Sequence, residues 1–427
     1  MSAARFLIFI LLTLTVLGGL NLHVFRWIKK AWRLTSAAQR GFKLALWLSI
    51  AAMVLGRVAG GLIPRELAMA IVATGSSVQL FIIISAAFLL LADLFFGLGG
   101  LAGRLRARLQ PAQPGATAIA APPVTAAESS APPPAPLPAE LPRRAFLTQA
   151  VASSAFLIGG SSTLYGTLKG RHDYTLEELP FKLPGLPRAL DGFTLAQLSD
   201  VHIGVYVGEP ELRIAEDFLR RARPDLIVLT GDLLDNDPRL ADQLGRFVRR
   251  LTPLARAGVV AISGNHDYFA GVTEVERAVT AAGARMLRNQ GMVLGDARAG
   301  VALLGVDDVL GRRTGGGPDL DRALRSLKTS DALGLAAADM PRVLLCHNPS
   351  YFEESAGRVA LQISGHTHGG QVNLGIRPAD LLLPGGWVAG RYDLRGSALY
   401  VNRGFGTVGP PARIGSPPEV TRIVLTT

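Results

Sequence analysis

One cysteine in 427 residues, Cys346, excludes an intramolecular disulfide framework. It leaves the compartment open, since many exported proteins have no disulfides. Charge is scarce as well: Asp, Glu, Lys and Arg make up 18% of the chain, and a mean hydropathy of +0.30 is too apolar for a wholly soluble protein. Acidic residues are nearly missing from the first part, where residues 1–170 hold 4 Asp+Glu against 15 Lys+Arg, while residues 171–427 hold 29 of each. The formal net charge of +11 therefore belongs to the apolar part. The remainder balances to zero and lacks the basic footprint with which a duplex-binding domain neutralises phosphates, so nucleic acid is disfavoured as a partner.

The apolar residues are concentrated in three runs before residue 105, roughly Phe6–Phe25, Leu44–Ile63 and Ala68–Leu98. Each is long enough to cross a bilayer as a helix, the form that satisfies every backbone polar group within one segment. Arg57 and Asp93 interrupt them, and snorkelling or packing against neighbouring helices accounts for such residues. The loop after the first run carries Arg26, Lys29, Lys30, Arg33, Arg40 and Lys43, and the segment after the third carries Arg104, Arg106 and Arg108. Cationic loops stay cytoplasmic, so these two segments are expected on the inner side of a bacterial cytoplasmic membrane.

Residues 1–103 thus form a transmembrane region of about three spans. Residues 104–144 read as a Pro/Ala-rich cytoplasmic linker without hydrophobic periodicity, ending in Arg143-Arg144. A weaker apolar stretch, 145–168, follows the Arg pair. It reads either as a fourth span or as a segment resembling a twin-arginine export signal, and both place residues 171–427 outside.

From about residue 190 the pattern changes to short β-type runs with helical segments between several of them, an α/β layered pattern. The runs are Thr194–Leu198, Leu226–Leu229, Val259–Ile262, Val301–Leu304, Val343–Leu345, Leu361–Ile363 and Val420–Leu425; Glu211–Ala222 and Val272–Ala282 read as amphipathic helices. Five of the strands end in Asp200-Val201-His202, Gly231-Asp232, Gly264-Asn265-His266-Asp267, Cys346-His347-Asn348-Pro349 and Gly365-His366-Thr367-His368-Gly369-Gly370. These motifs take five of the seven histidines. The C-terminal ends of strands in an α/β sheet converge on one rim, so distant segments deliver side chains to one place. Imidazoles with carboxylates and an amide oxygen, and no thiolate, suit Mn, Fe or Zn. Cys346 adjoins a candidate ligand, but strand alternation points it away; in Asp-x-His and His-x-His both side chains face one side if the backbone stays extended.

These five motifs, in this order, resemble the calcineurin-like metallophosphoesterase superfamily, in particular its membrane-anchored bacterial branch. The resemblance covers roughly residues 190–427 and includes Arg403-Gly404-Phe405-Gly406-Thr407 and Pro418-Glu419-Val420. It implies a layered β-sandwich flanked by helices, the metallophosphoesterase fold, preceded here by the helical membrane region. It further implies two divalent metal ions, one held by Asp200, His202 and His368, the other by Asn265, His347 and His366, with Asp232 bridging them. Such a pair clamps a phosphoryl group and activates a water for in-line attack. His266 would stabilise the transition state or protonate the leaving oxygen, and Asp267 would orient it.

Asp235, Asn236 and Asp237 look like turn or cap residues and are set aside as ligands. Gln371, Asn373, Arg403 and Arg413 stand downstream of the last motif as candidate substrate contacts, and Asp307 and Asp308 as groups supporting the site or ending a strand. The function implied is hydrolysis of phosphomonoesters or phosphodiesters on the outer face of the membrane, with lipid-linked pyrophosphates and other envelope phosphoesters as candidate substrates and membrane lipids as surroundings. The alternatives are a nuclease or broad phosphodiesterase, and a non-catalytic membrane-anchored binding module.

Overall fold

The computed structural model describes residues 3–58, 63–109, 142–296, 299–327 and 340–427. The chain divides into two compact units, one of residues 9–50 and 78–161, the other of residues 1–8, 51–77 and 162–427. Among the described residues four helices come first: α1 (Ala3–Ala31), α2 (Ser36–Val58), α3 (Arg65–Leu109) and α4 (Arg143–Leu168). Leu11–Ala31, Ser36–Gly56 and Glu66–Ala102 are long and apolar enough to cross a membrane; α4, diluted by Ser and Gly, is not among them. The predicted linker is encroached on at both ends, since α3 runs on to Leu109 and Arg143-Arg144 open α4, and residues 110–141 lie outside the described residues.

In the first unit the polarity is inverted. Leu11, Leu12, Leu91 and Phe95 are exposed, while Asn21 is buried and donates to Gln79 Oε1 at 3.0 Å, and Gln79 donates to Ser49 Oγ at 2.6 Å. Polar bonds inside and leucines outside suit a hydrocarbon solvent, where an unpaired polar group is costly. Asp93 accepts from Trp27 Nε1 at 3.1 Å. Of Arg57 only the backbone lies within the described residues. The three apolar helices indicate membrane anchoring.

Among the described residues of the second unit, twelve strands follow α4: β1 (Thr175–Lys182), β2 (Thr194–Leu198), β3 (Leu226–Thr230), β4 (Val259–Ile262), β5 (Arg285–Met286), β6 (Gln290–Asp296), β7 (Ala299–Gly305), β8 (Arg342–Leu345), β9 (Leu361–Ser364), β10 (Gly390–Leu394), β11 (Ser397–Val401) and β12 (Glu419–Thr426). They form two six-stranded mixed sheets, ordered β1-β12-β2-β3-β4-β5 and β10-β11-β9-β8-β7-β6. Among the helices between them are α5 (Glu209–Ala222), α6 (Ala241–Leu251), α7 (Asn265–Phe269), α8 (Val272–Ala281) and α9 (Leu320–Ser326).

Strand alternation explains the layers. Leu195, Val228 and Ile262 of the first sheet meet Leu303, Leu345 and Ile363 of the second in one central cluster. The intervening residues, Ala196, Leu198, Ile227, Leu229 and Ala261, turn outward onto α5, α6 and α8. Leu304, Leu344 and Cys346 turn outward beneath α9 on the other side. Central strands are therefore covered on both faces, which is why they read as unbroken apolar runs. The result is a β-sandwich flanked by helices. The metal-type motifs follow β2, β3 and β4 in one sheet and β8 and β9 in the other, so the site straddles two sheets and not the rim of one.

Candidate metal centre

Three of the five motifs leave their strands through a backbone that is not extended. Asp200, His202, Asp232, His366 and His368 all have φ between 50° and 74°, in the left-handed region that side chains other than glycine seldom adopt. The expectation that Asp-x-His and His-x-His align through an extended strand is thus corrected. The chain folds back at each position, at a cost on the order of 1–2 kcal/mol per residue, and tertiary bonds hold it there. Asp200 N donates to Gly231 O at 3.0 Å, His202 N to Asp232 O at 2.9 Å, and His366 N to Asp200 Oδ1 at 2.9 Å. Glycine permits the close approach: a Cβ on Gly365 would lie 2.0 Å from Ser199 Oγ and 2.2 Å from Asp200 Oδ2.

The structure brings together all seven residues expected as ligands. Asp200, His202 and His368 form one group able to hold a metal, and Asp232, His347 and His366 another. His368 Nε2 lies 3.1 Å from His202 Nε2 and 3.5 Å from Asp200 Oδ1. In the second group His347 Nε2 is 3.2 Å from both Asp232 Oδ2 and Asn265 Oδ1, and His366 Nδ1 is 2.8 Å from Asn265 Oδ1. Asp232 Oδ2 is also 3.6 Å from His202 Nε2, so one carboxylate oxygen faces both groups. Donor atoms about 2.1 Å from a cation stand roughly 3.0–3.4 Å apart at octahedral or tetrahedral angles, so these separations fit cation binding.

Protonation agrees with the fit. Burial pushes His202 and His366 down to about 4 and His368 well below the usual imidazole range, which leaves neutral rings with lone pairs to give. Burial also opposes the charge on Asp232, but the charge and hydrogen bond of His347, together with the charge of His266, hold it well below the carboxylate range. His347, buried yet against Asp232, is raised well above 6.5. Its Nδ1 is 2.8 Å from Thr230 O and donates to it, so its second proton sits on Nε2 between Asp232 and Asn265, where a cation would replace it. Burial lifts Asp200 to about 6, reinforced by Asp232 and opposed by His347.

The partner of His266 differs from expectation. Asp267 is buried and its two oxygens accept from Gly264 N (2.8 Å), Leu233 N (2.9 Å) and Leu234 N (3.1 Å). It locks the turn that presents Asn265 and does not reach the His266 ring. Asp235 does so instead: its Oδ1 is 3.1 Å and its carbonyl 2.7 Å from His266 Nδ1, and Oδ1 is also 3.8 Å from His202 Nδ1. The physical reason lies in the start of α7, where the third residue turns its carboxylate back onto the N–H of Gly264, just before the helix, and onto those of Leu233 and Leu234, and is spent there. Only an acid three residues past Gly231-Asp232 signalled Asp235, and that spacing fits a turn equally well; Asp237 does cap, accepting from Arg239 N.

The downstream candidates for substrate contact are committed elsewhere. Arg413 is fully buried and donates to the carbonyls of Arg403, Gly406 and Gly404 and to His368 Nδ1 at 3.0 Å, bracing a candidate ligand. Arg403 pairs with Glu419 at 2.7 Å and Glu177 at 2.6 Å. Gln371 donates to Val408 and Pro410 carbonyls, and Asn373 to those of Gly369 and Gly415. Asp307 accepts from Tyr268 at 2.7 Å and pairs with Arg288 at 3.1 Å, and Asp308 accepts from Leu310 N.

Residues 193–370 match the model of the calcineurin-like phosphoesterase family. The chain is 32% identical over 299 residues to the metallophosphoesterase YkuE of Bacillus subtilis, covering 67% of this chain and 98% of that protein. It is 30% identical over 272 residues to a metallophosphoesterase of Aquifex aeolicus, covering 64% of this chain and 97% of that protein. With a transmembrane protein with metallophosphoesterase domain of Danio rerio it shares 30% identity over 301 residues, covering 65% of this chain and 64% of that protein.

Three outcomes test this geometry. Gly365→Ala displaces Asp200 and lowers metal affinity about tenfold or more, read by titration of the metal-free protein. In the metal-free protein His266 titrates at about 9: burial lowers its pKa, and the bond to Asp235 with the charges of Asp232 and Asp235 more than reverses this, so the ring stays protonated through neutral pH. Asp235→Asn moves that titration down toward 6.5, followed by NMR of the ring protons; an unmoved pKa removes Asp235 as the partner. Arg403→Ala leaves Glu419 buried with its cation gone and destabilises the fold by about 3 kcal/mol in denaturant titration, with KM for a small phosphoester unchanged.

Proposed function

The chain belongs to the calcineurin-like metallophosphoesterase family and is a metal-dependent phosphoester hydrolase, and from that premise we propose that its residues 171–427 hold two divalent cations and hydrolyse phosphomonoesters or phosphodiesters on the outer face of a bacterial cytoplasmic membrane. The observation that carries the reading is the double aspect of Asp232, whose Oδ2 faces His347 Nε2 at 3.2 Å and His202 Nε2 at 3.6 Å. Asp200, His202 and His368 hold one cation in this reading, Asn265, His347 and His366 the other, and Asp232 lies between. The donor set of imidazoles, carboxylates and one carboxamide oxygen suits Mn, Fe or Zn. When bound, the cations neutralise charge gathering on the phosphoryl oxygens and make an attacking water more acidic.

The protein's own contribution is proton placement. His266, held protonated against Asp235, is the acid for the leaving oxygen, which takes its proton as the ester bond breaks. Asp235 orients the ring and supports its charge, while Asp267 keeps His266 and Asn265 on one rigid turn. Anchoring rests on the three apolar helices, with α4 as a fourth crossing, and the excess of Lys and Arg about the junction of α1 and α2 and at the C-terminal end of α3 supports an outward catalytic domain. Lipid-linked or other envelope phosphoesters are the substrates such a position favours. Zero net charge over residues 171–427 weighs against a nuclease.

The test is hydrolysis of bis-p-nitrophenyl phosphate and p-nitrophenyl phosphate by the detergent-purified chain, with Mn added or metal chelated. Chelation abolishes turnover, Asp232→Ala loses activity together with metal, and His266→Ala keeps metal but loses about 10²–10⁴ in rate. Full activity of the chelated protein or of His266→Ala overturns the mechanism.

A further inference from the structure

Large apolar side chains are well hidden in the catalytic part. Among the described residues of 171–427, those left exposed are Phe269, Ile376, Leu381 and Leu382. Three of the four stand on one loop, between Gln371 and Val388, and they are 73%, 90% and 79% exposed. Scattered surface leucines need no explanation, but three on the tip of a single loop do. The fourth, Phe269, packs its ring edgewise on His266 at 5.4 Å between centroids.

This loop is fastened at both ends to the turn that carries His366 and His368. Thr367 Oγ1, between those two histidines, donates to Val388 O at 2.6 Å. Asn373 Nδ2 donates to Gly369 O at 3.0 Å, and a Cβ on Gly370 would meet Arg377 Cγ at 3.2 Å and Ala379 Cβ at 3.3 Å. The short helix Ala379–Leu382 at its tip therefore has little freedom relative to the candidate metal centre.

The same loop adjoins the end of α4. Residues from Ser162 onward belong to the catalytic unit, and there Arg413 N donates to Gly166 O at 3.1 Å. A Cβ on Gly166 would lie 2.7 Å from Ile414 Cγ1, so the contact is close. Ile414 in turn bridges to Val372 and exchanges bonds with its neighbours, Asn373 N donating to Ile414 O at 2.8 Å and Ile414 N to Gln371 O at 2.9 Å. A continuous path thus runs from the last turn of α4 through residues 412–414 into the base of the apolar loop. Leu164 and Leu168 on that helix end are also exposed, at 60% and 68%. Only residues 169–174 separate α4 from β1, a reach of roughly 25 Å even when extended.

We propose that the loop tip carrying Ile376, Leu381 and Leu382 docks into the surface of the bilayer that anchors the chain, holding the metal centre at the level of the lipid headgroups. The occupant is lipid and not a protein partner, because the loop is bonded to the segment that receives the membrane-proximal end of α4, and the short connection keeps both near the bilayer. The inference rests on the anchoring reading above, in which α4 ends at the membrane, and is independent of which phosphoester is cleaved.

The experiment uses the full chain in phosphatidylcholine/phosphatidylglycerol vesicles, with Leu382→Cys labelled by an environment-sensitive fluorophore; the native Cys346 is buried and serves as the unlabelled background. Docking gives blue-shifted emission quenched at least twofold by spin-labelled lipid and protected from aqueous iodide. Arg277→Cys on α8 is the control, with water-like emission and iodide quenching. Water-like emission and full iodide quenching at position 382 overturn the proposal. A lipid-quenched label on a chain that cleaves no phosphoester leaves docking standing and removes the enzymatic reading, while an active enzyme with an iodide-quenched label does the reverse. Labelling of Leu381→Cys repeats the measurement should Leu382→Cys fail to fold.

Discussion

The buried charge of Asp232 is the constraint to which the surrounding structure answers. A carboxylate almost wholly removed from water is costly unless positive charge or donors surround it, and here they come from several directions. His266 N donates to one oxygen at 2.8 Å; His347 and His202 approach the other. Each of these partners is fixed by something further out: His347 by the Thr230 carbonyl, His266 by Asp235, and the turn before His266 by the three N–H bonds of Asp267. Removing the central charge would leave the His347 ring and the His266 N–H without the acceptor that both of them use.

Much of this was legible in the amino-acid sequence, for definable reasons. Thr194–Leu198 and Val259–Ile262 coincide with β2 and β4 because strands covered on both faces have no alternative to continuous apolar residues. The motifs were legible because each strand breaks off into His, Asp or Asn beside glycine. β1 and β10 were not, since Thr175–Lys182 contains Pro180 and three charged residues, and Gly390–Leu394 alternates half-buried with exposed positions. Both are edge strands, whose residues answer to solvent as much as to the core.

At the site, the exchange of Asp267 for Asp235 shows where one-dimensional reasoning stops. Adjacency to His266 made Asp267 the natural partner, yet a residue at the third position of a helix turns back onto the N–H that precedes the helix, and here its other oxygen takes the N–H groups of Leu233 and Leu234. Asp235 reaches the ring across thirty-one positions of chain, guided by the loop that follows β3. The arginines were misplaced for a related reason. Arg403 and Arg413 have the fork that suits phosphate, but the same fork serves buried carboxylates and clusters of carbonyls, and only burial distinguishes the uses.

The position of β12 carries a consequence for biosynthesis. It lies between β1 and β2, antiparallel to the strand that delivers Asp200, and Glu419 N bonds to Gly404 O beside that residue. Every other strand of the domain leaves the ribosome before β12, and the sheet cannot close until β12 has been made and inserted. While the helices are already being threaded into the bilayer, the nascent domain still has a gap through its first sheet, flanked by β1 and β2 with unpaired edges. Completion of the pocket therefore waits for the last strand to be made, however early the strands that carry the ligand-type residues have formed.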